Sequence, residues 1–266
     1  MNTAICENKT ITLECPKHGE YAGEVIKLDH ELFGKKELTP KCPHCHNENE
    51  QWHQAEKEKQ QKQRDIQKWQ SMNIEPRFYE SSFDNFNAYN PELQKNLTLC
   101  CAFAEKPEGK LIMLGENGNG KTHLAVSVLK KVGGIMYTAY EIGMNLRQSY
   151  GGDTKEWEVL NKLCTVPLLV IDEVEKIKDS EAKQNWMSYV VGKRYDRMLP
   201  LILIANCHVE KDCSKTEKPC SKCLEFHLEN DVLSRIVEDG RALKFSSDDY
   251  RRKIRNSKFG VGGAHV

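Results

Sequence analysis

Residues 115–122 have the sequence GENGNGKT, which fits the phosphate-binding pattern G-x-x-x-x-G-K-[ST] at every fixed position. An apolar run, Lys110–Leu114, precedes the motif, and a helix-forming run, Lys121–Lys131, overlaps its end. The pattern requires this strand–loop–helix context, because the glycines let free amides at the start of the helix approach phosphate oxygens. The sequence therefore predicts a site for the phosphates of a nucleotide.

The loop offers groups with separate roles. Lys121 is expected to reach the terminal phosphates, and the Thr122 hydroxyl is expected to hold Mg²⁺. The nucleotide, which we expect to be ATP, is predicted to contact Gly115, Glu116, Asn117, Gly118, Asn119, Gly120, Lys121, Thr122 and His123.

A second part of the same site is predicted at residues 168–173, LLVIDE, where an apolar strand ends in two carboxylates. Side chains alternate along a strand, so the two acids point in different directions. Asp172 is expected to face Mg²⁺, and Glu173 is expected to act as general base on the attacking water.

Apolar runs alternate with helical runs along this part of the chain. Five of them predict strands, namely Lys110–Leu114, Gly134–Tyr140, Pro167–Ile171, Leu201–Ala205 and Ala242–Phe245. Continuous apolar strands separated by helices are typical of a parallel sheet that is buried on both faces. The predicted fold class is α/β, a five-stranded parallel sheet between helices.

With these motifs the chain resembles the AAA+ ATPases. Asn206, at the end of a predicted strand, matches the residue that this family calls sensor 1, which helps to position the water. Arg235 in the run LSRI matches the arginine finger, which the resemblance places in the ATP site of a neighbouring subunit. Arg251 matches sensor 2, with Arg252 as the alternative. Arg235 and Arg251 could also be ordinary surface arginines.

Few residues follow the last predicted strand, which implies a minimal lid. This feature is similar to the branch of the DnaC and DnaI helicase loaders and the IstB transposition helpers, and the resemblance covers residues 74–256. Ile74–Phe78, Phe83 and Phe86 resemble the segment that leads into the ATPase module of this branch. In these relatives a helical element after the second strand contacts single-stranded DNA. The resemblance therefore implies DNA contacts at Tyr140, Arg147 and Tyr150, although these residues could simply pack that helix.

Seven of the eleven cysteines lie in two groups. Cys15, His18, Cys42 and Cys45 form two short-spaced pairs that predict a tetrahedral structural zinc site in a ribbon-like module, with Cys6, His44 and His46 as competitors. Cys213, Cys220 and Cys223 predict a second zinc site. Its fourth ligand is Cys207, His208 or His227. The alternative is unligated thiols for the first group and a reactive or reduced loop for the second.

These features divide the chain into consecutive segments. We predict a zinc-binding domain at 1–50 that docks on the helicase, a charged helical linker at 51–73 and the AAA+ domain at 74–256. The AAA+ domain carries a Cys-rich insertion at 207–227, and the tail, 257–266, is expected to be disordered.

The charge balance excludes a whole-molecule polycation, because 39 Lys and Arg residues face 39 Asp and Glu residues. The sequence has no apolar run long enough to span a membrane and no pattern of a secretory signal at its start, so we expect a bacterial cytoplasmic protein. Phage-encoded relatives of the DnaC type resemble this chain in both cysteine groups, which suggests a phage or prophage origin.

The resemblance implies an ATPase that self-associates, binds a hexameric DnaB-type replicative helicase and loads it onto single-stranded DNA. Its cofactors would be ATP, Mg²⁺ and two Zn²⁺ ions. A transposition helper that acts on DNA with a transposase is the alternative from the same branch. An adaptor that binds ATP as a structural ligand and hydrolyses little is the alternative from another class, against which the intact Asp172–Glu173 pair argues.

Overall fold

The computed structural model describes residues 5–30, 34–149, 156–176, 181–217, 219–246 and 250. The chain divides into two compact units, residues 1–66 and residues 67–266. In the described part of the chain, no helix has the length and apolar character needed to cross a membrane.

The first unit holds an antiparallel sheet and a long helix. Strands β1 (Ile5–Cys15), β2 (Gly19–His30) and β3 (Gly34–Leu38) pair in the order β1-β2-β3. A tight turn joins β1 to β2, and Gly19 adopts there a left-handed φ of 76° that favours glycine. Helix α1 (Pro43–Ser71) follows.

Helix α1 contains most of the charged helical linker predicted at 51–73 but begins before it. Its first residue is Pro43, which places Cys45 in its first turn. Proline suits a first helical turn, because its missing N–H would have no partner there. The division between the two units falls within α1, after Ile66.

The second unit is built on a parallel sheet, as predicted. Strands β4 (Lys110–Gly115), β5 (Ile135–Thr138), β6 (Leu169–Asp172), β7 (Leu201–Ala205) and β8 (Gly240–Phe245) lie in the order β5-β6-β7-β4-β8. All four neighbouring pairs are parallel. Helices α2 (Pro91–Glu105), α3 (Lys121–Val132), α4 (Ala139–Ser149), α5 (Glu156–Thr165), α6 (Glu181–Asp196) and α7 (Asn230–Glu238) complete the unit.

Two buried apolar clusters cover the sheet. One includes residues of α4–α7 with β5, β6 and β7, and the other includes α2 and α3 with β4 and β8. Helices on both faces leave the carboxyl ends of the strands as the place where polar groups meet, which is where ligands bind in open α/β sheets.

The segment 74–90 is bound to helix α3, and Lys130 makes several of the contacts. Lys130 Nζ donates hydrogen bonds to the carbonyl oxygens of Phe78, Tyr79 and Ser81 at 3.0, 2.8 and 2.8 Å. The same ammonium lies 4.2 Å from the centre of the Trp69 ring. These contacts hold the segment beside the phosphate-binding helix.

Candidate active site and metal centres

The phosphate-binding loop connects β4 to α3 and is shaped by glycine. Gly115 has a φ of 143°, and a Cβ there would lie 2.1 Å from the carbonyl oxygen of Phe245. Gly120 has a φ of 92°, and a Cβ there would meet the Phe86 ring at 2.6 Å. Both positions therefore require glycine, because any side chain would collide with β8 or with segment 74–90.

Polar contacts inside the loop hold its shape. The Lys121 ammonium donates to the carbonyl oxygens of Gly115 and Glu116 at 2.7 and 2.6 Å and to Asn119 Oδ1 at 3.1 Å. Asn119 in turn donates from Nδ2 to the carbonyl oxygen of Phe245 at 2.5 Å. Lys121 is thus buried in the concave side of the loop.

The two predicted carboxylates stand at the end of β6 in different surroundings. Asp172 Oδ2 accepts a 2.9 Å hydrogen bond from the Thr122 hydroxyl, and burial raises the pKa of this carboxyl. Glu173 has a left-handed φ of 57°, and its carboxylate pairs with Lys176 at 2.8 Å. The structure therefore brings together Thr122 and Asp172, the two residues predicted to hold Mg²⁺. A cation there would relieve the cost of burying the Asp172 charge.

Asn206 is held by a carboxylate that the sequence did not single out. Glu175 accepts a 2.6 Å hydrogen bond from Asn206 Nδ2 and a 3.0 Å bond from the Asn206 amide. The residues lie after adjacent parallel strands, β6 and β7, and this adjacency is the signal that could have pointed to Glu175.

These groups face a cavity of about 450 Å³, a size that suits a nucleotide. Loop residues 117–123, Asp172, Glu173 and Asn206 line it. Segment 74–90 supplies a further wall that sequence reasoning did not assign to the site, with Arg77, Phe78, Ser81, Asn85, Phe86, Asn87 and Tyr89. His123 packs its ring on Phe86, 5.4 Å between centroids, and burial lowers its pKa.

Among the predicted arginines, Arg235 is the one that the structure describes, and it does not line this cavity. Arg235 lies on α7, and its guanidinium pairs with Asp231 at 2.7 Å. Arg251 and Arg252 lie outside the described residues, but the amide of Tyr250 donates to the carbonyl oxygen of Gly118 at 2.9 Å.

The residues predicted to contact DNA lie on or after α4. Tyr140 is 56% exposed and Arg147 is also exposed, so neither side chain is buried in the core. Tyr150 lies outside the described residues, as does the tail 257–266. Trp157 on α5, which the sequence did not single out, is 60% exposed.

The first unit brings four predicted metal ligands together, Cys15, His18, Cys42 and Cys45, with ligand atoms within 4.8 Å of one another. The Nδ1 of His18 lies 3.7, 3.7 and 3.3 Å from the Sγ atoms of Cys15, Cys42 and Cys45. Zinc–sulfur bonds of about 2.3 Å in a tetrahedron separate sulfur atoms by about 3.8 Å. The Sγ atoms of Cys15 and Cys45 lie 3.6 Å apart, a separation that fits zinc and is far too long for a disulfide.

Groups around this cluster also suit a metal. The second ring nitrogen of His18 lies 3.3 Å from Glu48, the carboxylate partner that a zinc-bound histidine commonly has. The backbone amide of Lys17 lowers the pKa of Cys15 to about 6, which favours the thiolate. Competing His46 pairs with Glu50 at 3.4 Å instead.

The second cluster consists of His208, Cys213, Cys220 and Cys223, again with ligand atoms within 4.8 Å. His208 Nε2 lies 3.5 Å from the Sγ atoms of both Cys220 and Cys223, and the Cys213 and Cys220 sulfurs are 3.4 Å apart. The backbone amide of Lys222 lowers the pKa of Cys220 to about 6.

The structure separates the three candidates for the fourth ligand of this cluster. Cys207 is buried in the apolar cluster beside β7, where burial raises its pKa to about 12. The His227 ring contacts the carbonyl oxygen of Ser221 at 2.9 Å. Of the three candidates, His208 is the one whose ligand atom lies among the described thiols of the cluster.

The comparisons with known proteins agree with this architecture. The family model of the IstB-like ATP-binding proteins matches residues 48–258. The chain belongs to this family. It is similar to the uncharacterized protein YdaV of Escherichia coli K12, with 25% identity over 190 residues, 68% of this chain and 72% of that protein.

Two solved structures share the fold of the second unit. The DnaC helicase loader matches with a TM-score of 0.54 and 23% identity, over 65% of this chain and 100% of that one. DnaI matches with a TM-score of 0.53 and 16% identity, over 66% of this chain and 93% of that one. These structures confirm the predicted α/β fold, and the family model confirms the predicted IstB-like relationship.

Proposed function

We propose that this protein hydrolyses ATP to assemble on single-stranded DNA and to load a hexameric DnaB-type replicative helicase there. The observation that carries the proposal is the joining of two different units in one chain. An AAA+ module with its phosphate and acid groups assembled follows a separate unit built around four metal-ligand residues.

The phosphate loop binds ATP through its backbone amides, and Lys121 turns to the terminal phosphates. Glu173 accepts a proton from a water that attacks the γ-phosphorus, the bond to the bridging oxygen breaks, and ADP and phosphate leave. Asn206 orients that water. Thr122 and Asp172 would hold Mg²⁺, which supplies positive charge between the phosphates.

Glu173 must leave Lys176 before it can serve as base. Their 2.8 Å pair is partly exposed, so its loss costs little. We expect nucleotide binding to separate this pair and free the Glu173 carboxylate.

Self-association completes the site. Arg235 is partly exposed and lies outside the cavity of its own chain, which supports a role in the site of a neighbouring subunit. Arg251, which follows the Tyr250–Gly118 contact, would act on the nucleotide of its own chain.

Single-stranded DNA would lie along α4 and its surroundings. Tyr140 and Trp157 expose rings that can stack on bases, and Arg147 and Tyr150 would add a cation and a further ring. Zero net charge makes such a local patch necessary, because the whole chain does not attract phosphates.

The first unit would dock on the helicase. Its sheet and the start of α1 meet at Cys15, His18, Cys42 and Cys45, so zinc would tie them together in a segment too small to fold alone. The second cluster would hold a second zinc. The exposed helix α1, without a buried residue and rich in charge, would serve as the linker.

One observation favours the alternative of a transposition helper: the matching family is described by its IstB-like members. Such a protein would act on duplex DNA with a transposase. It needs no helicase, so helicase binding separates the two functions.

The test is the mass, by light scattering, of this protein mixed with the DnaB-type helicase of its host. We expect a joint complex with a slowly hydrolysed ATP analogue, and none after deletion of residues 1–66. Failure to bind the helicase with or without the analogue would remove the loader function and favour the transposition helper. Full ATP turnover in Glu173→Gln would instead revive the non-hydrolysing adaptor.

A further inference from the structure

The chain between β7 and α7 connects two groups that matter for hydrolysis. Asn206 follows β7 and lines the nucleotide cavity, and α7 carries Arg235. All four residues of the second cluster lie between these points. We call residues 207–229 the knuckle segment.

The knuckle segment is closed at its base next to Asn206. The amide of His208 donates to the carbonyl oxygen of Lys222 at 2.9 Å, and the amide of Leu224 donates to the carbonyl oxygen of His208 at 2.8 Å. These bonds form a parallel bridge between His208 and Cys223. The chain that follows Asn206 is therefore paired with the chain that leads to α7.

The base is also packed into the ATPase core. Cys207 and Leu224 are buried in the apolar cluster that contains β7, and Leu228 and Val232 continue this packing into α7. The Cys223 side chain is fully buried. A shift of the base would thus move both the end of β7 and the start of α7.

Outside the base, two side-chain contacts link distant parts of the described segment or join it to β8. Both carboxylate oxygens of Glu225 accept the amide of Glu210 at 3.0 Å. Asp212 pairs with Lys244 on β8 at 2.5 Å, but this pair is exposed and contributes little. A metal held by the four residues of the second cluster would add a strong constraint to this segment.

Along the chain, one residue separates Asn206 from His208, the first residue of the second cluster. The Glu175 carboxylate accepts hydrogen bonds from the backbone amide and the side chain of Asn206. The His208 imidazole lies among the thiols. On the other side, Cys223 is followed by the short helical turn Leu224–Phe226 and then by α7. A metal at the cluster would fix the backbone at both ends at once.

We propose that zinc bound by His208, Cys213, Cys220 and Cys223 is a positioning element for ATP hydrolysis, which sets Asn206 in its own subunit and Arg235 toward the neighbouring one. The proposal rests on ATP hydrolysis by this protein but not on helicase loading. A displacement of about 1 Å in a catalytic group can cost about a hundredfold in rate. The phosphate loop is formed by β4 and α3, so ATP binding does not depend on the knuckle segment.

The test measures zinc per chain, the dissociation constant of an ATP analogue, and kcat and KM for ATP in the full-length protein. Cys220→Ser should lower zinc from two ions to one and lower kcat at least tenfold, with KM and analogue binding within about threefold. His208→Cys offers four thiolates and should restore two zinc ions and kcat within about threefold of wild type.

Two further variants keep the comparison decisive. Cys101→Ser removes a cysteine of α2 that belongs to neither cluster, so zinc content and kcat should not change. If Cys220→Ser is insoluble, His208→Gln takes its place, since this variant keeps three thiolates. It is compared with His208→Cys, and the expected results are the same.

Several results would overturn the proposal. Zinc loss with unchanged kcat would make the metal a structural ion only. Two zinc ions retained in Cys220→Ser would mean that the cluster is not the site. An equal loss of analogue binding and kcat would indicate general misfolding. A wild-type protein that hydrolyses no ATP would refute the proposed function itself, a separate outcome.

Discussion

The two Cys/His clusters have nearly the same chemistry but different positions in the molecule. Each combines one histidine with three cysteines, and in each a backbone amide lowers the pKa of one thiol to about 6. The first lies in a small antiparallel unit at residues 1–66, where it joins a sheet to a helix. The second interrupts a parallel AAA+ fold that has a large apolar core of its own.

This difference separates two uses of one metal site. The first unit has few buried apolar residues among those described, so its ligands would supply folding energy that a core would otherwise supply. The second unit already has a core, so its cluster adds geometry rather than basic stability. The comparison therefore predicts that the loss of the first site removes partner binding, and that the loss of the second removes catalytic rate.

The largest expected loss of catalytic rate is that of a Glu173 variant, and the other variants are compared with it. Glu173→Gln should lower kcat by about 10² to 10⁴, because a general base contributes that much, while ATP-analogue binding persists. Steady-state hydrolysis and fluorescence titration measure the two quantities. If a variant of the knuckle segment had a lower kcat than Glu173→Gln, the second cluster would do more than position catalytic groups.

A variant of the first cluster should show the opposite behaviour. Cys45→Ser should lose one zinc ion and abolish the joint complex with the helicase, while ATP turnover stays within about twofold. Light scattering and a metal-release assay provide the readouts. If hydrolysis fell as it does in Cys220→Ser, the division of roles between the two clusters would be wrong.

The contact between Glu175 and Asn206 should have an intermediate effect. Glu175→Ala removes two hydrogen bonds to a carboxylate, each worth about 1.5–3 kcal/mol. We expect kcat to fall about tenfold or more with KM little changed. Glu175→Gln keeps an acceptor and should retain most of the rate, and equal losses in both variants would rule out a role in holding Asn206.

The smallest effects should come from the two rejected ligand candidates. Cys207→Ala and His227→Asn should leave two zinc ions per chain and lower the free energy of unfolding by about 1–2 kcal/mol, from lost packing and one lost hydrogen bond. Metal analysis and thermal unfolding measure these changes. Loss of one zinc ion in either variant would mean that the substituted residue, and not His208, is the fourth ligand of the second cluster.

The sheet and the phosphate loop were predictable because both depend on local patterns. Continuous apolar strands and the motif at 115–122 are visible in the sequence, and the structure contains all five predicted strands. The choice among Cys207, His208 and His227 was not predictable, since it depends on the His208–Cys223 bridge, which brings the backbone of His208 beside a cysteine of the cluster.

Contacts between distant segments were also beyond the sequence. Glu175 meets Asn206 only because β6 and β7 are adjacent and end at the same edge of the sheet. The wall formed by segment 74–90 depends on Lys130, which binds three carbonyl groups on a segment about 50 residues earlier in the chain. Pro43 is a local signal for the start of α1, because proline suits a first helical turn. The shift to charged composition further along the chain was the stronger signal, and the predicted linker followed it.

Helicase loading can be measured directly as strand displacement on a single-stranded DNA circle that is coated with single-strand binding protein and carries an annealed oligonucleotide. We predict that the DnaB-type helicase displaces the oligonucleotide only when this protein and hydrolysable ATP are present, and that Glu173→Gln does not support the reaction. Displacement at the same rate without this protein, or no displacement with it despite active ATP hydrolysis, would contradict the loader function.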